Sequence, residues 1–246
     1  MKQLVCISST PDTAAKISFI SDDTQFSEDG VQFIMNPYDE WYALVRAIEI
    51  KEQLGGSITI GHVGPASNDT IIRKALAIGA DDAIRVDKEP HDAYDVAIQL
   101  GDLARSEAYD IIYTGKETIN YNGASVGAML AELLEMPFIS YANQMHYTDE
   151  KATVSREIEG GDEIISLPLP FVLSSSKGLA EQRIPNMRGI MMAKRKPLKV
   201  VEPIDAPKFS HIVKYTTPPP REACEMIDPK DMDTLVQKLA EEAKVL

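Results

Sequence analysis

At 246 residues, with 44% apolar and 26% charged side chains, the chain is long enough to bury a sizeable core and has ordinary globular composition. Its net charge of −13 excludes a general nucleic-acid binder, whose phosphate contacts need a basic excess. No apolar stretch has the length to span a bilayer, so no direct membrane insertion is expected. The cysteines, Cys6 and Cys224, lack the spacing of a metal site or a redox pair, and cytoplasmic residence is the expectation.

Met1 to Ile7 leads straight into Ser8-Ser9-Thr10-Pro11-Asp12 without a small-residue cleavage site, and reads as a first strand rather than a signal peptide. Short apolar runs at Leu4–Ile7, Ser57–Val63, Asp82–Val86 and Asp110–Thr114 have the length of buried strands. Helical patterns separate them. Pro37 to Leu54 carries Trp41, Leu44, Val45 and Ile48 at helical spacing, and Gly55-Gly56 stops it. Ser67 to Ile78 ends at Gly79, and His91 to Ser106 has Tyr94, Ala97, Ile98 and Leu103 on one face. A fourth helix is predicted from about Gly123 to Glu135, followed by a strand at Phe138–Tyr141. Strands alternating with helices imply parallel pairing through right-handed crossovers, hence an α/β fold with a doubly wound, mostly parallel sheet.

The pattern changes at Lys151 to Ile158, where apolar and polar residues alternate. Glu159-Gly160-Gly161-Asp162 is a turn signal, and Glu163 to Ser174 returns as a second β run, giving an added antiparallel hairpin at the sheet edge. Pro168 and Pro170 mark an edge or irregular strand. Residues 1–200 are expected to form the main domain and 201–246 a Pro-rich C-terminal arm. The arm ends in a helix at about Asp231 to Ala243 that either packs back or embraces a partner.

Three stretches stand out chemically. Tyr113 to Gly127 takes a strand through a small, polar loop into a helix. Such a helix start exposes unpaired N–H groups and can cradle a phosphate. Gly123, Ala124 and Gly127 leave room for close approach, and Asn120, Asn122 and Ser125 can cap the helix or donate to phosphate oxygens. An ordinary N-capped helix with small packing residues fits the same composition. In a doubly wound sheet, ligands bind beyond the carboxyl ends of the strands where the order reverses. That rule gathers Ser8 to Pro11, Asn36 before Pro37, His62-Val63-Gly64 and Asn120 to Gly127, with Val126, around one crevice. The second stretch is Asn36-Pro37-Tyr38-Asp39-Glu40, where Asn36 before Pro37 reads as a turn initiator and plausible N-cap with acids in the first helical turn. The third, Glu181 to Lys196, is basic and Met-rich within an acidic chain. It reads either as a core helix with a solvated basic end or as a partner-docking element. No catalytic constellation or metal ligand set emerges: the four histidines are scattered, and there is no G-x-S-x-G elbow.

Together these elements resemble the beta subunit of electron-transfer flavoproteins. The resemblance rests on Ser9-Thr10-Pro11-Asp12, Asn36-Pro37-Tyr38-Asp39-Glu40 and Ile72 to Asp81. It continues through Thr114-Gly115-Lys116, Arg156-Glu157-Ile158-Glu159-Gly160-Gly161 and Ile190 to Lys196, in the family's order over residues 1–200. It implies an adenine-nucleotide alpha-hydrolase-like fold and pairing with an alpha subunit that holds a redox-active FAD. It also implies AMP or a second FAD in this chain's own crevice, against Ser8, Asn36, the His62–Gly64 loop and Asn120 to Gly127. Electrons would come from flavin dehydrogenases such as acyl-CoA dehydrogenase and pass to a quinone reductase or another acceptor. The family's recognition loop falls on Ile184, Pro185, Asn186, Met187, Arg188 and Gly189, with Met187 where a leucine anchor is usual. The phosphate loop departs from the family, which carries acids followed by Gln where this chain reads Asn120-Tyr121-Asn122-Gly123-Ala124-Ser125. That departure leaves AMP, FAD or an empty crevice open. The competing expectation is a stand-alone adenine-nucleotide-binding regulatory protein of the same fold.

Overall fold

The computed structural model describes residues 1–148, 150–221 and 223–246. The chain begins with β1 (Lys2–Cys6), which runs into four short strands, β2 (Ser9–Pro11), β3 (Phe19–Ile20), β4 (Gln25–Phe26) and β5 (Phe33–Met35). There follow α1 (Asp39–Leu54), β6 (Ser57–Val63), α2 (Asp69–Ile78), β7 (Asp82–Val86), α3 (Ala93–Arg105), β8 (Ile111–Gly115) and α4 (Val126–Leu133). The second half contains β9 (Phe138–Thr148), β10 (Lys151–Ile158), β11 (Gly161–Pro168), β12 (Phe171–Ser175), α5 (Met187–Ala193), β13 (Leu198–Val201) and α6 (Met232–Gln237).

Among the described residues, nine strands form the central sheet in the order β11-β10-β9-β12-β8-β1-β6-β7-β13. From β9 to β13 all pairs are parallel, while β10 and β11 add the expected antiparallel hairpin at one edge. From β1 the chain winds outward through β6 and β7, then returns to place β8 on the other side of β1. The order therefore reverses between β1 and β8.

Alternate residues of the strands feed two cores, as the period of two requires. Val5, Ile111, Tyr113, Phe171 and Leu173 meet α1 and α2 on one face. Leu4, Cys6, Ile112 and Val172 meet α3 and α4 on the other. The buried Gln3 amide is paired at both ends: Nε2 donates to Ala47 O at 3.0 Å, and Oε1 accepts from the Tyr113 hydroxyl at 2.8 Å. Gly55 (φ 73°) and Gly56 (φ 113°) end α1, and a Cβ on Gly56 would overlap the Met1 carbonyl.

Four expectations change. The run Glu163–Ser174 is not one strand. It breaks after Pro168, where β11 ends at the edge, and β12 enters the sheet centre between β8 and β9 with every residue buried. Pro170, which lacks an N–H, sits in the gap. The strand predicted at Phe138–Tyr141 continues to Thr148, carrying the sheet out to the hairpin. The fourth helix starts at Val126 rather than Gly123, because Asn122 (φ 51°) and Ala124 (φ 48°) are left-handed. The terminal helix is α6 plus a π turn at Lys238–Glu242.

The arm packs back on the main domain along part of its length. Ile204 exchanges two hydrogen bonds with the Gln99 side chain, and residues up to Tyr215 hold to the main domain, whereas α6 buries no residue.

Candidate functional site

The reversal point is lined by loops that were separate in the sequence. At the end of β1, Ser8 donates its backbone N–H and its hydroxyl to the two carboxylate oxygens of Glu40, at 2.7 and 2.6 Å. Glu40 is buried, and its pKa is pushed up to about 8 by desolvation, against the lowering effect of the Ser8 hydrogen bonds. Asp39 beside it is raised to about 6, again chiefly by burial, with Lys116 pulling the other way. Gly115 at the end of β8 makes this approach possible: a Cβ there would lie 3.0 Å from Glu40 Cγ and 3.2 Å from Asp39 Cβ.

Asn36 ties the loop after β5 to the loop after β8, its Nδ2 donating to Glu117 O at 2.8 Å. Its side chain is wholly buried, yet among the described residues Oδ1 finds no hydrogen-bond donor. Native interiors seldom leave such an acceptor unpaired, so this one is a natural partner for a donor on a ligand.

The loop from Lys116 to Ser125 closes the site. Left-handed Asn122 and Ala124 stand on either side of Gly123, and an alanine in that conformation costs about 1 kcal/mol. Alternation of this kind makes a nest, the backbone arrangement that binds anions. Among the described residues, the N–H groups of Gly123 through Ala128 find no acceptor. Ser125 occupies the N-cap position of α4 without a side-chain cap bond. Asn120, Asn122 and Gly123 are exposed, leaving the row of donors open.

Not every predicted residue faces the opening. His62 is buried, with Nδ1 at 2.9 Å from Ile7 O and Nε2 at 3.0 Å from Asn68 Nδ2. Burial lowers its pKa to about 4, so it is neutral. Gly64 donates to Val86 O and accepts from Arg85 Nη1 at 2.8 Å, and Val63 belongs to the second core. Gly127 is a packing glycine: a Cβ would lie 2.7 Å from Thr114 Oγ1 and 3.0 Å from the Phe138 ring. Val126 packs on the same core. A cleft of about 300 Å³ beside the nest is lined by Tyr38, Asp39, Tyr42, Lys116, Glu117 and Asn122, among others. The sequence signalled neither Glu40 nor Asp39 as a site residue, since acids in a first helical turn are ordinary.

The second candidate region, Ile184 to Gly189, leads into α5. Asn186 caps that helix, accepting from Gly189 N at 2.8 Å, and Gly189 lets α5 approach Ala77 of α2. Ile184 (86%) and Met187 (74%) are exposed, and Ile190, Met191 and Met192 continue the apolar surface. Arg188, Lys194 and Arg195 lie exposed around it. Pro185 is half-buried. The region is therefore a surface feature rather than a core helix.

Fold and geometry define a doubly wound α/β protein whose switch-point loops frame an open row of backbone donors. Residues 23–206 match the model of the electron transfer flavoprotein domain. The whole chain aligns at 33% identity with the electron transfer flavoprotein subunit beta of Bacillus subtilis, over that protein's full length. It aligns at 34% with the mitochondrial beta subunit of Oryza sativa subsp. japonica, each chain covered completely, and at 33% with the Homo sapiens beta subunit, 99% of which is covered. The chain belongs to the electron transfer flavoprotein family, among its beta subunits. Among the described residues no helix is long and apolar enough to cross a membrane.

Proposed function

We propose that this chain is the small subunit of a heterodimeric electron carrier, pairing with an alpha subunit that holds FAD. It would bind AMP or a second FAD in its own crevice. The observation that carries the crevice reading is the nest of unsatisfied N–H groups from Gly123 to Ala128, opening at the reversal of strand order. In this reading the nest receives a phosphate, with Ser125, Asn120 and Asn122 free to add side-chain donors. Asn36 Oδ1 accepts from a nucleoside donor, and Ser8 is held in place by Glu40. His62, Val63 and Gly64 contribute shape, because their polar groups are already engaged. Gly127 sets the closeness of α4 to β8.

The flavin, when bound, supplies the redox chemistry. This chain's residues bind, orient and present, and none makes or breaks a bond. The exposed apolar surface at Ile184, Met187 and Met191, ringed by cations, fits docking of flavin dehydrogenases such as acyl-CoA dehydrogenase: methionine adapts to an apolar pocket while charge steers the encounter. A quinone reductase or another acceptor would then take the electrons. The test is co-expression with the larger subunit and a count of flavin and AMP per purified heterodimer. A colourless chain that purifies alone and binds no nucleotide would refute the proposal.

A further inference from the structure

The arm carries a contact that neither nucleotide binding nor dehydrogenase docking accounts for. Leaving β13, it meets the Gln99 side chain at Ile204. It then reaches the start of α3, where Asp92 Oδ2 accepts from Phe209 N, Ser210 N and Ser210 Oγ at 3.2–3.3 Å. Phe209 meets the Tyr94 ring edge-on at 4.9 Å between centroids. Next it crosses to the β3–β4 hairpin: Tyr215 N donates to Asp23 O at 2.7 Å, and Lys214 pairs with Asp23 at 3.6 Å. The Tyr215 ring stacks on Phe19 with centroids 4.6 Å apart and planes 3° from parallel. Finally its hydroxyl lies 3.4 Å from that of Tyr121. Tyr121 lies two residues before Gly123, the first of the nest's open donors. The three anchor points follow β7, β1 and β8 in turn, so the arm runs across the rim formed by the carboxyl ends of the strands.

We infer that Tyr215 is a residue of the nucleotide crevice, supplied by the arm, that with Tyr121 closes the space beyond the nest and restricts the ligand to a nucleoside monophosphate. The inference rests on the crevice reading above. A monophosphate ends at the row of N–H donors. A dinucleotide must continue from that phosphate, and Tyr121, in contact with Tyr215, stands beside the nest on the side away from the cleft lining. Each contact is modest and exposed, but Phe19 stacks the ring while Asp23 and Asp92 hold the backbone at and before Tyr215, so the phenol is placed in advance. Release of a bound monophosphate likewise has to part the Tyr121–Tyr215 contact. The crevice thus gains a wall from a segment far away in sequence.

The experiment uses the heterodimer with its alpha subunit. Labelled AMP is loaded, its release is followed after a chase of unlabelled AMP, and FAD and AMP compete for the same site. Tyr215→Ala is expected to speed AMP release at least tenfold and to narrow the AMP-over-FAD preference at least tenfold. Tyr215→Phe, which keeps the stack on Phe19 and loses the hydroxyl contact with Tyr121, is expected to fall between the wild type and Tyr215→Ala. Trp41 fluorescence reports that each variant is folded. Release and preference within twofold of wild type in Tyr215→Ala would overturn the role of Tyr215 while leaving the crevice reading intact. Wild-type preference for FAD over AMP would overturn the size restriction. A wild-type heterodimer that binds neither nucleotide in this subunit overturns both readings, so the two failures are told apart.

Discussion

Replacing Glu40 by Gln should change how stability depends on pH, in a direction fixed by the burial of the carboxyl. In the folded chain the group titrates near 8, against 4.5 when solvated. A carboxyl whose folded value is raised takes up a proton on folding. Its contribution is most favourable below pH 4.5 and is lost as pH climbs toward 8. Each pKa unit corresponds to about 1.4 kcal/mol, so between pH 5 and pH 7 the wild type should lose about 2.5 kcal/mol through this group alone. Glu40→Gln keeps the shape and cannot ionise, so its stability relative to wild type should rise by that amount over the same interval. The single tryptophan, Trp41, adjoins the substituted position, and its indole donates to Arg183 O at 3.2 Å, so its fluorescence follows unfolding near the site. With a urea slope of about 2–3 kcal/mol/M, the midpoint difference between variant and wild type should widen by roughly 1 M from pH 5 to pH 7. A difference that stays flat would mean that Glu40 ionises at its ordinary value and that the end of β1 is wet, removing the basis for a desolvated crevice.

Other outcomes follow from the same geometry. Gly127→Val should cost about 1–3 kcal/mol through collision with Thr114 and Phe138, seen as a lower melting temperature, whereas Gly123→Val should leave melting unchanged and lower the nucleotide content of the heterodimer. Met187→Glu should slow reduction by a partner dehydrogenase by about tenfold in stopped-flow measurements without disturbing the heterodimer on gel filtration; an unchanged rate removes Met187 as the anchor. Arg85→Met should cost about 1–2 kcal/mol in denaturant titrations, because Asp69, Asp87 and Gly64 O lose a buried partner while the two carboxylates stay partly hydrated.

The parallel core was legible because its strands are unbroken apolar runs flanked by helices of clear period. What was not legible depends on distance in the sequence. The run through Ser174 gives no local sign that β11 lies at the edge and β12 at the centre, since adjacent segments can occupy distant sheet positions. Residues 12–35 carry no periodicity, and Ser21, Asp22 and Asp23 are all left-handed. Ser8, Asn36 and the loop after β8 lie together in the fold, as the switch-point rule predicts. Glu40 was not legible: it resembles any acid in a first helical turn until the fold sets it beneath Ser8. The delay of α4 to Val126 depends on two left-handed residues that composition does not announce. Tyr215 lies in a proline-rich stretch with no pattern, and only the tertiary path brings it to Tyr121.

Asp92 shows how economically the arm is fastened. One carboxylate oxygen holds the first turn of α3 through Asp95 N at 2.8 Å, while the other gathers three donors from residues 209 and 210. These hydrogen bonds, that from Asp95 foremost, keep its acidity stronger than an ordinary aspartate's. Since a depressed carboxyl loses its benefit only as acidity rises through that lowered value, the latch stays fastened throughout the neutral range in which Glu40 is titrating. Two carboxyls at the same rim therefore respond to the cell's pH in opposite ways, one inert and the other responsive, and a shift in acidity would retune the crevice floor without loosening its cover.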